Sequence, residues 1–295
     1  MRKIILGTDW WSDCDDAVAL RLITKAHKNQ EIELLSVGIN ACMDCSCASL
    51  LGFLHKDGVT DVPIGIDRSA TGYEGAHLAL YQERLAREYA PNVRECDFDD
   101  ALRVYRKALA SCQGKLEIIE IGFLGVIADV LKSDGDDISP KTGLELVREK
   151  VSKIWVMAGK WDKNGEREHN FALNEKTRLA GFDFLTLCPV PVTFLGFETG
   201  LGILTGDKLD PCDHLYSVMS DYGAKDGRHS WDPMLVLLAL EGDEERAGYS
   251  VTVGTAELDP LTGLNYFKEH EDGRHKFVTK ARDNDYYRDL INSKL

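Results

Sequence analysis

Four aspartates, Asp9, Asp13, Asp15 and Asp16, fall within eight consecutive residues near the start of this 295-residue chain. At neutral pH that many negative charges in one turn repel one another strongly unless a cation or protons intervene. Carboxylate oxygens are the ligands that hard divalent cations take, Ca²⁺ and Mg²⁺ above all. The spacing excludes an EF-hand, which needs Gly at its sixth position and Glu at its twelfth. Counted from Asp9 these are Cys14 and Leu20. The turn also lacks the glycines that let a backbone cradle phosphate. A plainer role, in which Asp13 or Asp15 caps a helix, employs one carboxylate and leaves three unexplained.

The elements on either side explain how such a cluster is held. Ile4 to Gly7 is a short apolar run with β-branched members and reads as a buried strand. Ala17, Val18, Leu20, Leu22 and Ile23 open an amphipathic helix. The aspartates therefore sit at the carboxyl end of a strand, where open α/β sheets carry their sites. Three later segments have a similar setting. Gly122-Phe123-Leu124-Gly125-Val126-Ile127-Ala128 reads as a tight turn between a strand and a helix. A polar loop from Lys160 to Asn174 contains Glu168, His169 and Asn170, of which Glu and Asn offer acceptors and a donor for a vicinal diol. Arg228-His229-Ser230-Trp231-Asp232-Pro233 precedes an apolar helix, where a lone Asp is ordinarily the N-cap and Pro233 suits the first turn.

Together these segments resemble the nucleoside hydrolase family, in the branch whose N-terminal motif has the form D-T-D-x-G-x-D-x-D-D-A. Thr8, Asp9, Asp13, Asp15, Asp16 and Ala17 match it, while Gly7 stands at the first Asp and Trp11 at the Gly. Residues 122–128 are similar to the family's G-P-L-T-N-L/I-A segment, with Gly125 at the Thr whose carbonyl reaches the metal. Residues 168–170 fall on its E-F-N, with His169 for Phe, and Ser230 to Pro233 on its C-terminal metal motif. The family's Asn after the second strand has no aligned counterpart, since Met43-Asp44 occupies that stretch and Asn40 lies nearby.

The resemblance implies a Ca²⁺ held by Asp9, Asp16, Asp232 and the Gly125 carbonyl. It makes Asp9 the general base for an attacking water, and it gives Asp15, Asp13, Glu168, His169 and Asn170 contacts to a ribosyl group. Trp231 stands where the best-studied members have a His that protonates the departing base, so proton supply to the leaving group is in question. Trp231 could stack on a base, and His229, two residues before it, is a substitute acid if the turn folds it inward. The implied activity is Ca²⁺-dependent cleavage of the N-glycosidic bond of a ribonucleoside or related riboside. A hydrolase of the same fold with another leaving group, and a catalytically weak ribose- or nucleoside-binding protein, are the alternatives.

Composition agrees with an enzyme of small molecules. A net charge of −14 argues against nucleic-acid or anionic-membrane partners. No apolar run approaches the length of a membrane span, and the N-terminus has no cleavable apolar stretch, so a cytoplasmic location is expected. The eight cysteines read as reduced: Cys42, Cys45 and Cys47 cluster but lack a second ligand pair for zinc. Alternating strand and helix patterns predict an α/β fold, a mainly parallel central sheet with flanking helices as in a Rossmann-like nucleoside hydrolase. No linker-like stretch divides the chain, so one domain over 1–295 is expected, and the resemblance implies a homo-oligomer. Residues 86–113 read as helical, Phe184 to Leu195 as two short strands broken by prolines, and the region after Gly248 as an antiparallel hairpin on the sheet edge.

Overall fold

The computed structural model describes residues 1–11, 13–72 and 81–295. The strands are β1 (Arg2–Thr8), β2 (Ile32–Ile39), β3 (Ile64–Ile66), β4 (Asp99–Asp100), β5 (Leu116–Glu120), β6 (Val151–Met157), β7 (Val192–Leu195), β8 (Leu204–Thr205), β9 (Arg228–His229), β10 (Tyr249–Leu258), β11 (Asn265–Glu269) and β12 (His275–Lys280). The helices are α1 (Asp15–Lys28), α2 (Ser46–Lys56), α3 (Gln82–Tyr89), α4 (Ala101–Ser111), α5 (Gly125–Lys132), α6 (Gly143–Lys150), α7 (His169–Ala172), α8 (Glu175–Leu187), α9 (Phe197–Gly200), α10 (His214–Tyr222), α11 (Trp231–Glu241) and α12 (Asn284–Asn292).

Ten of these strands form one sheet in the order β11-β10-β12-β7-β6-β5-β1-β2-β3-β4. From β4 to β12 all neighbours pair in parallel, and β10 then joins antiparallel to both β12 and β11. The chain winds outward from β1 through β2 and β3 on one side and from β5 through β6 and β7 on the other. The order therefore reverses between β1 and β5, and the crevice above that point is where such sheets bind ligands. Strands buried on both faces must be apolar throughout, which is why Ile4, Ile5 and Leu6 run consecutively without exposure. Ile4 and Leu6 pack with α1, α2 and α11 on one face, and Ile5 with α4, α5 and α8 on the other.

At the middle of this sheet the packing includes a buried acid. Gly7 of β1 is in register with Gly38 of β2 and Glu120 of β5. A side chain at Gly7 would collide with the Glu120 carboxylate and the Tyr105 hydroxyl, and one at Gly38 with the Tyr105 ring. Tyr105 donates to Glu120 across 3.1 Å. Burial pushes the Glu120 carboxyl up to about 8, so it is largely protonated at neutral pH.

The sequence reading needs correction in two places. Residues 86–113 are not one helix: α3 ends before Pro91, and Asp99-Asp100 adds a short strand to β3 before α4 begins. Asp100 caps α4, its carboxylate accepting from the Leu102 amide at 2.9 Å. Phe184 to Leu187 is the end of α8 rather than a strand, because Ala180, Phe184 and Leu185 present one buried helical face. The strand begins only after Pro189 and Pro191. The expected edge hairpin is present as β10 and β11, with β12 returning to the parallel sheet.

Arg21 on α1 is 4 % exposed and ties three helices together. It donates from Nε to Asp57 after α2 at 2.9 Å and from Nη2 to Asp213 before α10 at 2.7 Å. Thr24 and His214 also meet Asp57, at 2.5 and 3.0 Å. This network fixes α1, whose first turn carries Asp15 and Asp16.

Candidate active site

A cleft of about 310 Å³ opens at the carboxyl ends of β1, β5 and β6, above the sheet's reversal point. Asp9, Asp13, Asp15, Asp16 and Asp232 line one side of it, joined by Glu168, His169, Asn170 and Trp231. Nine residues singled out from the sequence thus converge on one cavity. His229 and Gly125 are not in its lining. Gly125 is the first residue of α5, where a carbonyl is directed into the helical ladder, and Ile121 forms the β5 side of the wall. His229 accepts from the Gly202 amide at 3.0 Å through Nδ1, and its ring lies 5.2 Å from that of Trp231.

The N-terminal turn assigns each carboxylate a different partner. Trp10 takes a positive φ of 48°, which turns the chain sharply after Asp9. Asp9 accepts from the Trp11 amide at 3.1 Å, and Asp16 accepts from the Thr8 hydroxyl and the Trp10 amide. Asp13 is paired with Arg228, Nη2 to Oδ2 at 2.7 Å, and accepts from the Asp15 amide at 3.3 Å. One oxygen of Asp15 receives the Trp231 and Asp232 amides, both at 3.1 Å, so the first turns of α1 and α11 are bonded to each other. Neither Asp15 nor Asp232 is a cap. The N-cap residues are Cys14 and Ser230, and neither makes a side-chain capping bond. Among the described residues no protein group donates to the buried Asp232 carboxylate.

Burial and mutual repulsion raise Asp9, Asp15 and Asp232 well above the usual carboxylate range, and Asp16 to about 7. Asp13 alone is lowered: burial opposes ionisation, but bonding to Asp15 and the Arg228 charge outweigh it. Such a set fits a divalent cation, which would supply the positive charge the carboxylates lack. Ligand atoms of Asp13, Asp15 and Asp16 lie within 4.8 Å of one another. Asp13, however, already has Arg228, and Asp15 has two amides. Asp16 likewise has the Thr8 hydroxyl and the Trp10 amide, Asp9 has the Trp11 amide, and Asp232 has no donor among the described residues.

On the opposite wall Glu168 caps α7, accepting from the amides of Gly159, Asn170 and Phe171 at 2.8, 2.9 and 3.2 Å. Burial lifts it to about 7. Asn170 donates to the Met157 carbonyl at 2.8 Å, which fixes its amide plane and leaves Oδ1 for a ligand. The His169 ring packs beside Trp11 and Phe123, at 6.1 and 5.6 Å, and desolvation lowers its pKa, so it is neutral. Trp231 stacks on Phe197 at 5.3 Å with 22° between planes, and its indole N–H donates to the Phe197 carbonyl at 2.8 Å.

The sequence reading did not single out Arg228, Phe197, Tyr222 and Met157, which also line the cleft. Arg228 falls in the segment that leads into α11, where a lone Arg carries no spacing signal. Asn40 is buried beside Asp9, under the bare α-carbon of Gly122, and accepts from the Phe123 amide at 2.9 Å.

Three solved structures resemble this chain over nearly their whole lengths. A plant nucleoside hydrolase is 17 % identical with a TM-score of 0.73, covering 99 % of this chain and 98 % of its own. A purine-preferring ribonucleoside hydrolase from Gardnerella vaginalis is 16 % identical, with a TM-score of 0.74 and the same two coverages. An inosine-uridine preferring nucleoside hydrolase from Bacillus anthracis is 13 % identical, with a TM-score of 0.68 and full coverage of both chains. The chain has the nucleoside hydrolase fold. No family model matches its sequence, and no curated protein does either. At this identity the fold is shared while most side chains differ.

Proposed function

We propose that the protein is a metal-dependent hydrolase of ribosides, cleaving the N-glycosidic bond of a ribonucleoside or a related compound, with residues 1–295 acting as one domain. The observation that carries this reading is the convergence of Asp9, Asp16 and Asp232 with Glu168 and Asn170 around one cleft at the sheet's reversal point. The three solved structures of similar fold, each described as a nucleoside hydrolase, support it.

Asp9, Asp16 and Asp232 would hold Ca²⁺, which when bound acidifies a water and orients a diol. Asp9 would accept the water's proton, a general-base role worth about 10²–10⁴-fold in rate. Asp15, held rigid by two backbone amides, would accept from ribose hydroxyls, and Asn170 would add its free oxygen. The surrounding carboxylates would stabilise the cationic sugar that forms as the bond breaks. A leaving group other than a natural base is favoured by one observation: the N–H of Trp231, which stands where the family resemblance puts the acid, is already bonded to the Phe197 carbonyl.

Release of reducing sugar from a panel of ribonucleosides, with EDTA and then with Ca²⁺ restored, tests the reading. Sugar release that EDTA abolishes and Ca²⁺ recovers is expected. Tight nucleoside binding without turnover would instead make this a binding protein.

A further inference from the structure

Arg228 is the only cation among the described residues lining the cleft, and the hydrolase reading gives it no task. Its guanidinium is held firmly. Nη2 is bonded to Asp13, and the group lies 5.3 Å from the centre of the Trp231 ring and 5.4 Å from that of Tyr222. Nε is buried with no acceptor. A positive group held on aromatic faces in a cleft interacts with whatever charge develops beside it.

The cleft lining beside Arg228 is Trp231 and Tyr222 rather than a histidine. The Trp231 N–H is bonded to Phe197, and the His229 ring lies 5.2 Å from that of Trp231 with Nδ1 accepting from the Gly202 amide. A base departing on that side meets the Arg228 guanidinium, which Asp13 holds in place.

We propose that Arg228 receives the leaving group, selecting ribosides whose aglycone departs as an anion through an acceptor-rich edge. This rests on the riboside-hydrolase reading of the same cleft. In the step, the water oxygen bonds to C1′ and its proton passes to Asp9. The C1′–N bond breaks with its electron pair going to the aglycone nitrogen. The aglycone anion lies against the guanidinium and is protonated by solvent after release, while Asp9 returns its proton to solvent. Arginine suits this task because its planar fork stays charged and presents parallel donors to an oxo or carboxylate edge.

The test compares kcat/KM for uridine, inosine and 4-nitrophenyl riboside in the Ca²⁺-loaded wild type, Arg228→Met, Arg228→Lys, Asp13→Asn and Asp13→Asn/Arg228→Met. Arg228→Met should slow the nucleosides by about 10²-fold and 4-nitrophenyl riboside by less than about tenfold, since stabilising a leaving group matters most when it is poor. Lys should recover part of the loss. If Arg228 served only to neutralise Asp13, the double variant would regain wild-type rates, and that result overturns the proposal, as does an equal loss on all three substrates.

A binding arm separates this idea from the hydrolase reading. Titration of tryptophan fluorescence with urate, an anionic base, and with neutral hypoxanthine should show a preference for urate that Arg228→Met abolishes. If the wild type cleaves nothing yet shows this pattern, the anion subsite stands and the hydrolase reading falls. An unchanged preference in Arg228→Met overturns the subsite.

Discussion

Asp232 is the residue on which a cation site depends most. It is nearly buried in the cleft wall, and among the described residues nothing donates to its carboxylate, which leaves it open to a cation or a proton. Residues that merely orient a metal ligand change affinity by about 10–100-fold, so loss of a direct ligand should exceed about 100-fold. Calorimetric titration of Asp232→Asn with Ca²⁺ should show at least that loss, and unchanged affinity would remove Asp232 from the shell. Trp231 gives a second prediction. Replacing it with His adds a group able to protonate a base, so Trp231→His should speed inosine cleavage by about tenfold or more while leaving 4-nitrophenyl riboside nearly unaffected. Equal effects on both substrates would show that proton supply is not limiting. The acidic residues of the cleft were legible in the sequence because like charges so closely spaced demand an explanation. Arg228 and Phe197 were not, since Arg228 is on β9 and Phe197 opens α9, and only the tertiary fold brings them to Asp13 and Trp231.

At the level of elements, α1 carries the site at one end and an internal anchor a little further along. Arg21 leaves Asp57 and Asp213 without their cation if removed, and breaking a buried pair from one side costs about 3–5 kcal/mol. Urea unfolding of Arg21→Ala should show a loss of that size. A loss below about 1 kcal/mol would mean that water replaces the guanidinium, as at an exposed pair. The strands that position the site were readable from apolar runs ending in turns. The errors came where a local pattern admitted two outcomes. Phe184 to Leu187 is apolar enough for a strand, but the Asn174 cap ten residues earlier had already started a helix that continues through it. Residues 86–113 contain good helix formers on both sides of Pro91, and pairing of Asp99-Asp100 with β3 is a long-range event that no local period reveals.

For the whole molecule, the crowded carboxylates make stability depend on pH and on metal together. Asp16 moves from 3.8 to about 7 and Glu168 from 4.5 to about 7 on folding. Because the folded values are the higher ones, the unfolded chain gives up these protons first, and stability is lost as pH rises through that window. In EDTA the melting temperature at about pH 8 should therefore lie roughly 5 °C or more below that at about pH 5.5. Ca²⁺ should narrow the gap, since it binds the deprotonated carboxylates of the folded state only. A melting temperature that rises with pH in EDTA would contradict this. The net charge of −14 adds repulsion in the same direction, so salt should lessen but not abolish the slope.

Gly38, Gly7 and Glu120 lie side by side on three adjacent strands under Tyr105. In the sequence motif an acid belongs at position 7. Here the volume above Gly7 is filled by a carboxylate rooted on the neighbouring strand. The arrangement works as a keyed joint: the Tyr105 ring fits only over two bare α-carbons, and its hydroxyl meets an acid only when β5 is in step with β1. A slip of one residue would bring Leu6 or Thr8 beneath the ring and turn Glu120 into the apolar layer on the other face. Parallel strands of similar Ile- and Leu-rich composition would otherwise have little to choose between registers, so the three positions select the alignment that holds Asp9 over the cleft.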